Sequence, residues 1–405
     1  MSLRSVLTAA KPAKSSRPRL SPGRFFVSGV AAVLLLAFAA SISIGWYFSG
    51  VATQVEHGRQ YDLLVRSVGD GTVTLPRTDE TERPGVFALE WRGEGLAAGG
   101  RAIIGDVVKN GEKIAGVDTG TVVRKVLSVP SGKLVPRLQV ALDHWVYGGD
   151  PKKALGLDFE NVTYPSQVGA MPAWLLPGRT KNSTWVIAVH GRNADRAETF
   201  RVMKAVHGTG MPMLSIAYRN DQKAPSSPNG RNLLGSKEWN DVASAIAYAR
   251  SQGATGVVLY GWSMGGSMVM SALRHAPDPS FVHGVVLDSP VLDWRATLRK
   301  QGAARGLPGI ETDVAMRMVG WRYGVDLDAL DMRPFARHLK APTLLFTAGK
   351  DGMVDNGPSL EFARKAPAGL VTHVSEADAD HTEDWNVDSA AYERALTGFL
   401  GKLAS

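Results

Sequence analysis

The stretch at residues 257–270, read as VVLYGWSMGGSMVM, constrains the fold of this chain more than any other. Apolar residues lead into a glycine, and small and apolar residues at helical spacing follow Ser263. This pattern predicts a strand, a sharp turn and a helix. In a GxSxG turn, Gly261 and Gly265 must be nearly without side chains for strand and helix to approach. The turn would expose the hydroxyl of Ser263.

The pentapeptide alone is weak evidence, because the chain has 44 glycines and a Gly-rich connection without chemistry would look the same. The apolar run before it and the helical spacing after it supply the structural context that the motif requires. A functional interpretation still needs a base, an acid that orients the base, and donors for an oxyanion, in a suitable order along the chain.

The segment 25–48, FFVSGVAAVLLLAFAASISIGWYF, contains no charged residue. As a helix it would reach about 36 Å at a rise of about 1.5 Å per residue, enough to span a hydrocarbon core of about 30 Å. Trp46, Tyr47 and Phe48 stand where an aromatic belt at the membrane interface is expected. We therefore predict an uncleaved transmembrane helix.

Two other interpretations of this segment remain. A buried helix of a soluble domain is disfavoured because the segment has no polar face, and a cleaved signal peptide would use the A-x-A-like site at residues 37–39. Residues 1–24 are basic and lack apolar periodicity, so we predict a disordered tail. By the positive-inside rule the tail stays inside, and everything after Ser49 lies on the outer side of the membrane.

Composition excludes several function classes. A hydrophobic fraction of 44% and a charged fraction of 21% are typical of a globular protein, and no cysteine is available for a disulfide, a thiolate metal site or a nucleophile. The net charge of +8 is concentrated near the start of the chain and falls to +2 for the remainder. A nucleic-acid-binding surface is therefore not expected. The six basic residues responsible are Arg4, Lys11, Lys14, Arg17, Arg19 and Arg24.

The sequence of residues 50–155 is typical of a small β-rich region. Short segments rich in β-branched residues alternate with the turn pairs Asp70-Gly71 and Asn110-Gly111, which are hairpin signals. The region contains no catalytic motif, so it is either a spacer or a wall of a substrate cleft. The predicted strands are 61–68, 86–91, 101–108 and 120–127.

From residue 157 to the end at 405 the pattern alternates between strand and helix. An opening antiparallel pair at 162–164 and 173–176 is followed by continuous aliphatic strands, and helices are predicted at 195–207, from an N-cap at Ser236 to Gly253, and at 388–402. Aliphatic strands that alternate with helices indicate a mainly parallel sheet with helices on both faces. The further predicted strands are 184–189, 213–218, 284–287, 343–346 and 370–374.

Two more residues complete a catalytic constellation. Asp351 follows the strand at 343–346, and His381 follows the last strand. Groups that act on ligands lie beyond the carboxyl ends of strands in an open α/β sheet. A serine hydroxyl needs a neutral imidazole to take its proton, and His381 would do this, while Asp351 would orient the ring.

The chain order Ser263, Asp351, His381 is the order of the α/β-hydrolase superfamily, and residues 157–403 resemble a member of that superfamily. His190-Gly191, Tyr218-Arg219 and Asp288-Ser289-Pro290, each after a predicted strand, are similar to positions that recur in its esterases and peptidases. The first 156 residues lie outside the resemblance.

An oxyanion would be bound by backbone N–H groups, one from Met264 after the nucleophile and one from the loop after His190, which we place at Arg192. The resemblance also implies a lid over residues 291–334. That segment is rich in basic residues interleaved with apolar ones, so it is either a cationic cover that selects acyl or anionic substrates or a solvated helical face.

Asp355 and Asp288 are alternative candidates for the acid. Metal ligation is not expected, because no HExxH or HxH pair occurs, and no cofactor is expected. We predict a serine hydrolase that acts on an ester, thioester or peptide-like bond of a small or lipid-like acyl substrate. The alternatives are an acyltransferase with the same triad and a non-catalytic binding protein that retains the fold.

Overall fold

The computed structural model of the protein describes residues 22–93, 99–110, 113–114, 117–118, 120–179 and 183–403. Residues 1–21 of the predicted basic tail, and Gly111 of the predicted Asn110-Gly111 turn, lie outside these residues. The prediction of a disordered tail is wrong for residues 22–24, which belong to the first helix. The described chain begins with a long helix and continues into two large β-sheets, of which the second is flanked by helices.

The predicted apolar segment is helical and forms α1, Pro22–Ala52. Residues Val30–Ala52 are long and apolar enough to cross a membrane by length and composition. Only 6% of the most apolar window is buried, so α1 does not behave as the core helix of a soluble domain. A membrane anchor and a signal sequence both fit this helix, and its orientation in a membrane stays a prediction.

The first sheet confirms the predicted β-rich region. Its seven strands are antiparallel, in the order β1-β9-β4-β5-β8-β3-β2. Its own apolar core includes Val73, Leu89 and Ile104, and a separate two-stranded sheet is formed by β6 (Lys113–Ile114) and β7 (Val117–Asp118). The seven strands are β1 (Leu63–Leu64), β2 (Ser67–Gly69), β3 (Thr72–Pro76), β4 (Phe87–Trp91), β5 (Gly100–Asn110), β8 (Thr121–Ser131) and β9 (Gln139–Asp143).

The second sheet has eight strands in the order β10-β11-β13-β12-β14-β15-β16-β17. The first two form an antiparallel hairpin, β11 pairs antiparallel with β13, and all later pairs are parallel, as expected from the continuous aliphatic runs. The strands are β10 (Glu160–Ser166), β11 (Gly169–Leu176), β12 (Thr184–Val189), β13 (Met213–Ile216), β14 (Gly256–Trp262), β15 (Val282–Asp288), β16 (Thr343–Ala348) and β17 (Val371–Glu376).

Helices cover both faces of this sheet because its central strands bury both sets of alternating side chains. In β14, Leu259 faces one core layer and Tyr260 faces the other. Helices α4, α5, α6, α7 and α8 contribute to the first layer, and α3 and α10 contribute to the second. The helices are α2 (Pro151–Leu155), α3 (Phe200–Thr209), α4 (Trp239–Ser251), α5 (Met264–Arg274), α6 (Trp294–Ala304), α7 (Gly309–Tyr323), α8 (Asn356–Lys365), α9 (Asp384–Val387) and α10 (Ser389–Gly401).

The predicted N-cap at Ser236 is wrong. Helix α4 begins at Trp239 with Glu238 at its N-cap position. The buried Glu238 carboxylate accepts hydrogen bonds from the backbone N–H groups of Leu233 (2.7 Å) and Gly235 (3.0 Å). These bonds hold residues 233–237 in turns, so the helix starts two residues later than predicted.

The turn between β14 and α5 depends on glycine. A Cβ atom at Gly265 would lie 2.2 Å from the carbonyl oxygen of Val189, and one at Gly261 would lie 2.5 Å from the carbonyl carbon of Gly265. Real Cβ atoms do not approach backbone atoms this closely. Strand and helix can therefore be this close only where both positions lack side chains.

We expect the substitution Gly265→Ala to lower the free energy of unfolding by about 3 kcal/mol or more. The added Cβ atom would collide with backbone atoms of Val189 and His190, which cannot move aside as a flexible side chain can. The matched control is Gly398→Ala in α10, where an added Cβ meets nothing within 4 Å; alanine should stabilise that helix by about 0.5–1 kcal/mol. Urea unfolding of the full chain followed by circular dichroism measures both. Equal effects of the two substitutions would contradict the proposed packing.

Candidate active site

Ser263 occupies the turn between β14 and α5 in a strained conformation. Its φ of 50° and ψ of −118° lie in a region that non-glycine residues rarely adopt. Its N–H donates to the Asp288 carbonyl (2.9 Å), and its carbonyl accepts from the N–H groups of Gly266 (3.0 Å) and Val291 (3.0 Å). These bonds fix the backbone and leave the hydroxyl directed into a cavity.

The structure brings Ser263 together with both other predicted residues. His381 lies in the turn after β17, and its Nε2 is 2.9 Å from the Ser263 hydroxyl oxygen. The Nδ1 atom of the same ring is 2.8 Å from the Asp351 carboxylate. The three side chains therefore form one continuous hydrogen-bonded series from hydroxyl to imidazole to carboxylate.

Hydrogen bonds hold both oxygens of the Asp351 carboxylate in place. One oxygen faces His381, and the other accepts hydrogen bonds from the backbone N–H groups of Met353 (2.9 Å) and Val354 (2.7 Å). Burial raises the pKa of Asp351, but the hydrogen bond and charge of His381, together with these two N–H groups, outweigh burial and lower the pKa below its usual value. Asp351 is therefore an anion at neutral pH.

The environment of His381 favours the imidazolium. Burial lowers the pKa of the ring, but the hydrogen bond to Asp351 and its charge, with the more distant Glu198 and Asp288, raise the pKa above the ordinary 6.5. A ring held this way takes a proton readily from a neighbouring hydroxyl.

Neither alternative acid contacts the imidazole. The Asp288 carboxylate accepts a hydrogen bond from the Tyr392 hydroxyl (2.7 Å), and Asp355 caps helix α8 by accepting from the N–H of Gly357 (2.8 Å). Both carboxylates are thus engaged in structural hydrogen bonds away from the ring.

Two backbone N–H groups are oriented as candidates for an oxyanion site. Met264 is the first residue of α5, where the N–H has no acceptor within the helix. In the loop after β12, the N–H of Gly191 donates to the Glu198 carboxylate (2.7 Å). Among the residues that the structure describes, the N–H of Arg192 has no acceptor. Arg192, the predicted residue, therefore stays a candidate donor, and among the described residues the N–H of Asn193 in the same loop likewise has no acceptor.

The location of the site follows from the strand order. The chain leaves β12 for β13 on one side and returns to β14 on the other, so β12 is flanked by β13 and β14. At such a reversal the two loops at the carboxyl ends diverge and leave a crevice. The loop at Gly191 and the turn at Ser263 face each other there, and a Cβ on Gly191 would lie 3.2 Å from the Cβ of Ser263.

Ser263 and His381 line a cavity of about 210 Å³, which also receives side chains that sequence reasoning missed. His144 and Trp145, which follow the first sheet, form one wall, and Trp294 of α6 forms another. Of the two options predicted for residues 50–155, the structure supports a wall of the cleft. No local sequence signal marks His144 or Trp145, because only the packing of the first sheet brings them to this cavity.

The first sheet also holds the loop that carries His381. Arg83 pairs with Asp380 (2.6 Å), the neighbour of His381, and with Glu383 (2.8 Å). The loop of Arg83 is fixed in turn by the buried Arg124, which donates to the Arg83 carbonyl (2.7 Å) and the Gly85 carbonyl (2.7 Å). Arg83 is therefore a candidate positioning residue, which sequence reasoning also missed.

No metal site emerges within the described ranges, where no three His, Asp or Glu side chains lie close enough to hold an ion.

Two family models match parts of this chain. The model of the Prolyl oligopeptidase family matches residues 227–366, which include Ser263 and Asp351. A domain of unknown function, DUF8805, matches residues 64–143, which is nearly the whole first sheet. No curated protein matches the chain.

Solved structures of similar fold include the esterase Pf2001 of Pyrococcus furiosus in two crystal forms. Both are 18% identical to this chain, with TM-scores of 0.51 and 0.52. The alignments cover 64% of this chain and 98% and 96% of the two esterase structures. The esterase RhEst1 from Rhodococcus is 14% identical, with 60% of this chain and 99% of that chain covered and a TM-score of 0.43. The Pyrococcus structures establish the fold.

The chain is a serine hydrolase of the α/β-hydrolase fold. The resemblance predicted for residues 157–403 is thereby confirmed for the fold, while the first sheet is an addition that matches a separate family model. In this α/β-hydrolase, the loop that carries the candidate base is clamped by the additional sheet through Arg83.

We expect Arg83→Gln to lower kcat about 10-fold or more with little change in KM, because small displacements of a reacting group are costly in rate. Arg83→Lys, which keeps the positive charge, should retain more of kcat. Steady-state kinetics on a short p-nitrophenyl ester measures both, and Arg66→Gln, at an exposed position of the same region, is the control. A fall in thermal stability with unchanged kcat would show that Arg83 is structural only.

Proposed function

We propose that this protein is a membrane-anchored hydrolase that cleaves carboxylic ester, thioester or peptide-like acyl bonds through an acyl-enzyme. In this proposal Ser263 is the nucleophile, His381 the general base and Asp351 the acid that orients it. The observation that carries the proposal is the series of two hydrogen bonds, 2.9 Å and 2.8 Å, that joins these three side chains at one cavity.

In the first step the Ser263 oxygen attacks the acyl carbonyl carbon while His381 Nε2 takes the hydroxyl proton. The carbonyl oxygen becomes an oxyanion, which the N–H groups of Met264 and Arg192 would stabilise. The bond to the leaving group breaks, His381 donates its proton to that group, and the acyl chain remains on Ser263. Water then attacks with the same base and releases the acid.

The anchor is the second part of the proposal. Exposed apolar side chains run along α1, including Leu34, Leu36 and Phe38 at 64–71% exposure. A bilayer would remove this surface from water. The basic residues before α1 favour an inner location for the N-terminus, which leaves the catalytic domain on the outer side.

Ser263→Ala should lower kcat by on the order of 10⁴-fold to 10⁶-fold without loss of folding, because the nucleophile is removed and only a methyl-sized group remains. Hydrolysis of p-nitrophenyl acetate and labelling by a fluorophosphonate probe, followed by mass spectrometry, measure this. Labelling of the native chain at a residue other than Ser263, or full activity of the variant, would refute Ser263 as the nucleophile, whereas absence of both hydrolysis and labelling in the native chain would favour a binding protein.

The pH dependence of kcat/KM should show an acid limb with a midpoint above pH 6.5. The imidazolium cannot accept the Ser263 proton, and the pKa of His381 is raised above 6.5, so activity appears as the pH rises through that value. Asp351→Asn should move the limb to lower pH, since burial then dominates, and should lower kcat by about 10⁴-fold. A wild-type midpoint below pH 6.5 would contradict the inferred environment of the ring.

A further inference from the structure

A second cavity lies directly beside the catalytic one and has no role in the mechanism above. Its volume is about 360 Å³, within the range of roughly 300–1,000 Å³ for small-molecule sites. The two cavities share wall residues, among them Ala52, Leu298 and Met353. A molecule bound at Ser263 could therefore extend into the second cavity past these side chains.

More than half of the residues that line this second cavity are apolar, and they come from α1, α6, α7 and the loops beside them. The last turns of α1 contribute Phe48 and Val51, and the facing side of α7 contributes Ala315, Met316 and Val319. Three charged residues, Glu56, Arg192 and Arg305, also border it. An apolar interior with a few polar groups suits a hydrocarbon chain, whose burial is favourable in proportion to the apolar area removed from water.

Helix α7 runs alongside the C-terminal part of α1 with the same direction. The Ser41 hydroxyl donates to the Glu311 carboxylate (2.6 Å) near the start of α7. Near its end, the Arg322 guanidinium lies over the Trp46 ring at 3.6 Å and donates to the Ser49 hydroxyl (2.7 Å). Residues 41 to 49 rise about 12 Å along a helix, so α7 accompanies this whole length.

This arrangement brings α7 to the level of the proposed membrane surface. Two large apolar side chains of α7 are strongly exposed, Ile310 at 70% and Trp321 at 76%. The Trp321 ring lies 6.3 Å from the ring of Trp46 in α1, and Trp46 and Tyr47 are 50% and 64% exposed. Tryptophan and tyrosine concentrate at the interface between a bilayer and water. The cavity between α1 and α7 therefore opens where acyl chains of a bilayer are available.

We propose that this cavity is the acyl-chain site of the enzyme, and that its substrate is a long-chain acyl ester that enters from the bilayer between α1 and α7. The proposal rests on the function proposed for Ser263. The ester carbonyl would lie at the Ser263 hydroxyl with its hydrocarbon chain in the second cavity. The anchor thus forms part of the substrate site.

The test uses the full chain reconstituted in phosphatidylcholine vesicles, with p-nitrophenyl acetate and p-nitrophenyl palmitate as probes. Ala315→Trp and Leu307→Trp each fill the second cavity from a different element. Each should lower kcat/KM for the palmitate ester at least about 10-fold and leave the acetate ester within about twofold. The matched control, Ala303→Trp, lies at an exposed position of α6 outside both cavities and should change neither.

The outcomes separate the two proposals. Loss of acetate hydrolysis in Ser263→Ala with no chain-length effect of the cavity variants would overturn the acyl-chain site and leave the hydrolase intact. Absence of acetate hydrolysis in the native chain would instead count against the proposed function. Retained acetate hydrolysis also shows that a cavity variant has folded.

A second comparison distinguishes the source of the ester. Palmitate ester is supplied either in the vesicles that contain the enzyme or in separate vesicles without it. Entry from the bilayer predicts rapid hydrolysis in the first case and at least about 10-fold slower hydrolysis in the second. Equal rates would show that the ester arrives through water, and would overturn the route between α1 and α7.

Discussion

The close contact between β14 and α5 is the constraint on which the rest of the site depends. It forces Ser263 to a φ of 50°, a conformation that costs on the order of 1–3 kcal/mol for a non-glycine residue. The backbone bonds of Ser263 to Asp288, Gly266 and Val291 offset that cost. Because the turn is so tight, the hydroxyl projects beyond the sheet at the point where the strand order reverses. A looser turn would let the serine side chain pack against the helix.

A rigid nucleophile requires an equally well-placed base, and the histidine loop is held from several sides. The N–H of Thr382 donates to the Ser289 hydroxyl (3.1 Å), and Asn386 donates to the carbonyls of Val86 (2.6 Å) and His144 (2.8 Å). Val86 and His144 belong to the region of the first sheet, as does Arg83. The first sheet therefore has a physical role in the site: it supplies one wall of the cavity and fixes the loop whose histidine faces Ser263.

The three residues of the proposed triad could be predicted from sequence because each is marked locally, Ser263 by its flanking glycines and Asp351 and His381 by their positions shortly after strands β16 and β17. Glu198 could not, since its role depends on a 2.7 Å contact with the N–H of Gly191 that only the folded loop creates. Strands β3 and β9 were not predicted, although β4, which is equally five residues long, was. The Asp70-Gly71 hairpin was recognisable, and both residues have the positive φ, 41° and 71°, that such turns need.

Helix α1 and the candidate active site are joined by more than the chain. The Arg192 guanidinium donates to the carbonyls of Val51 (2.9 Å) and Gln54 (3.0 Å), at and just beyond the end of α1. Carbonyl groups at a helix C-terminus lack partners within the helix and carry partial negative charge, so a cation is favourable there. The backbone N–H of the same residue is the proposed oxyanion donor. A shift of α1 relative to the sheet would therefore act on this loop, because the Arg192 side chain links the end of α1 to the proposed oxyanion site.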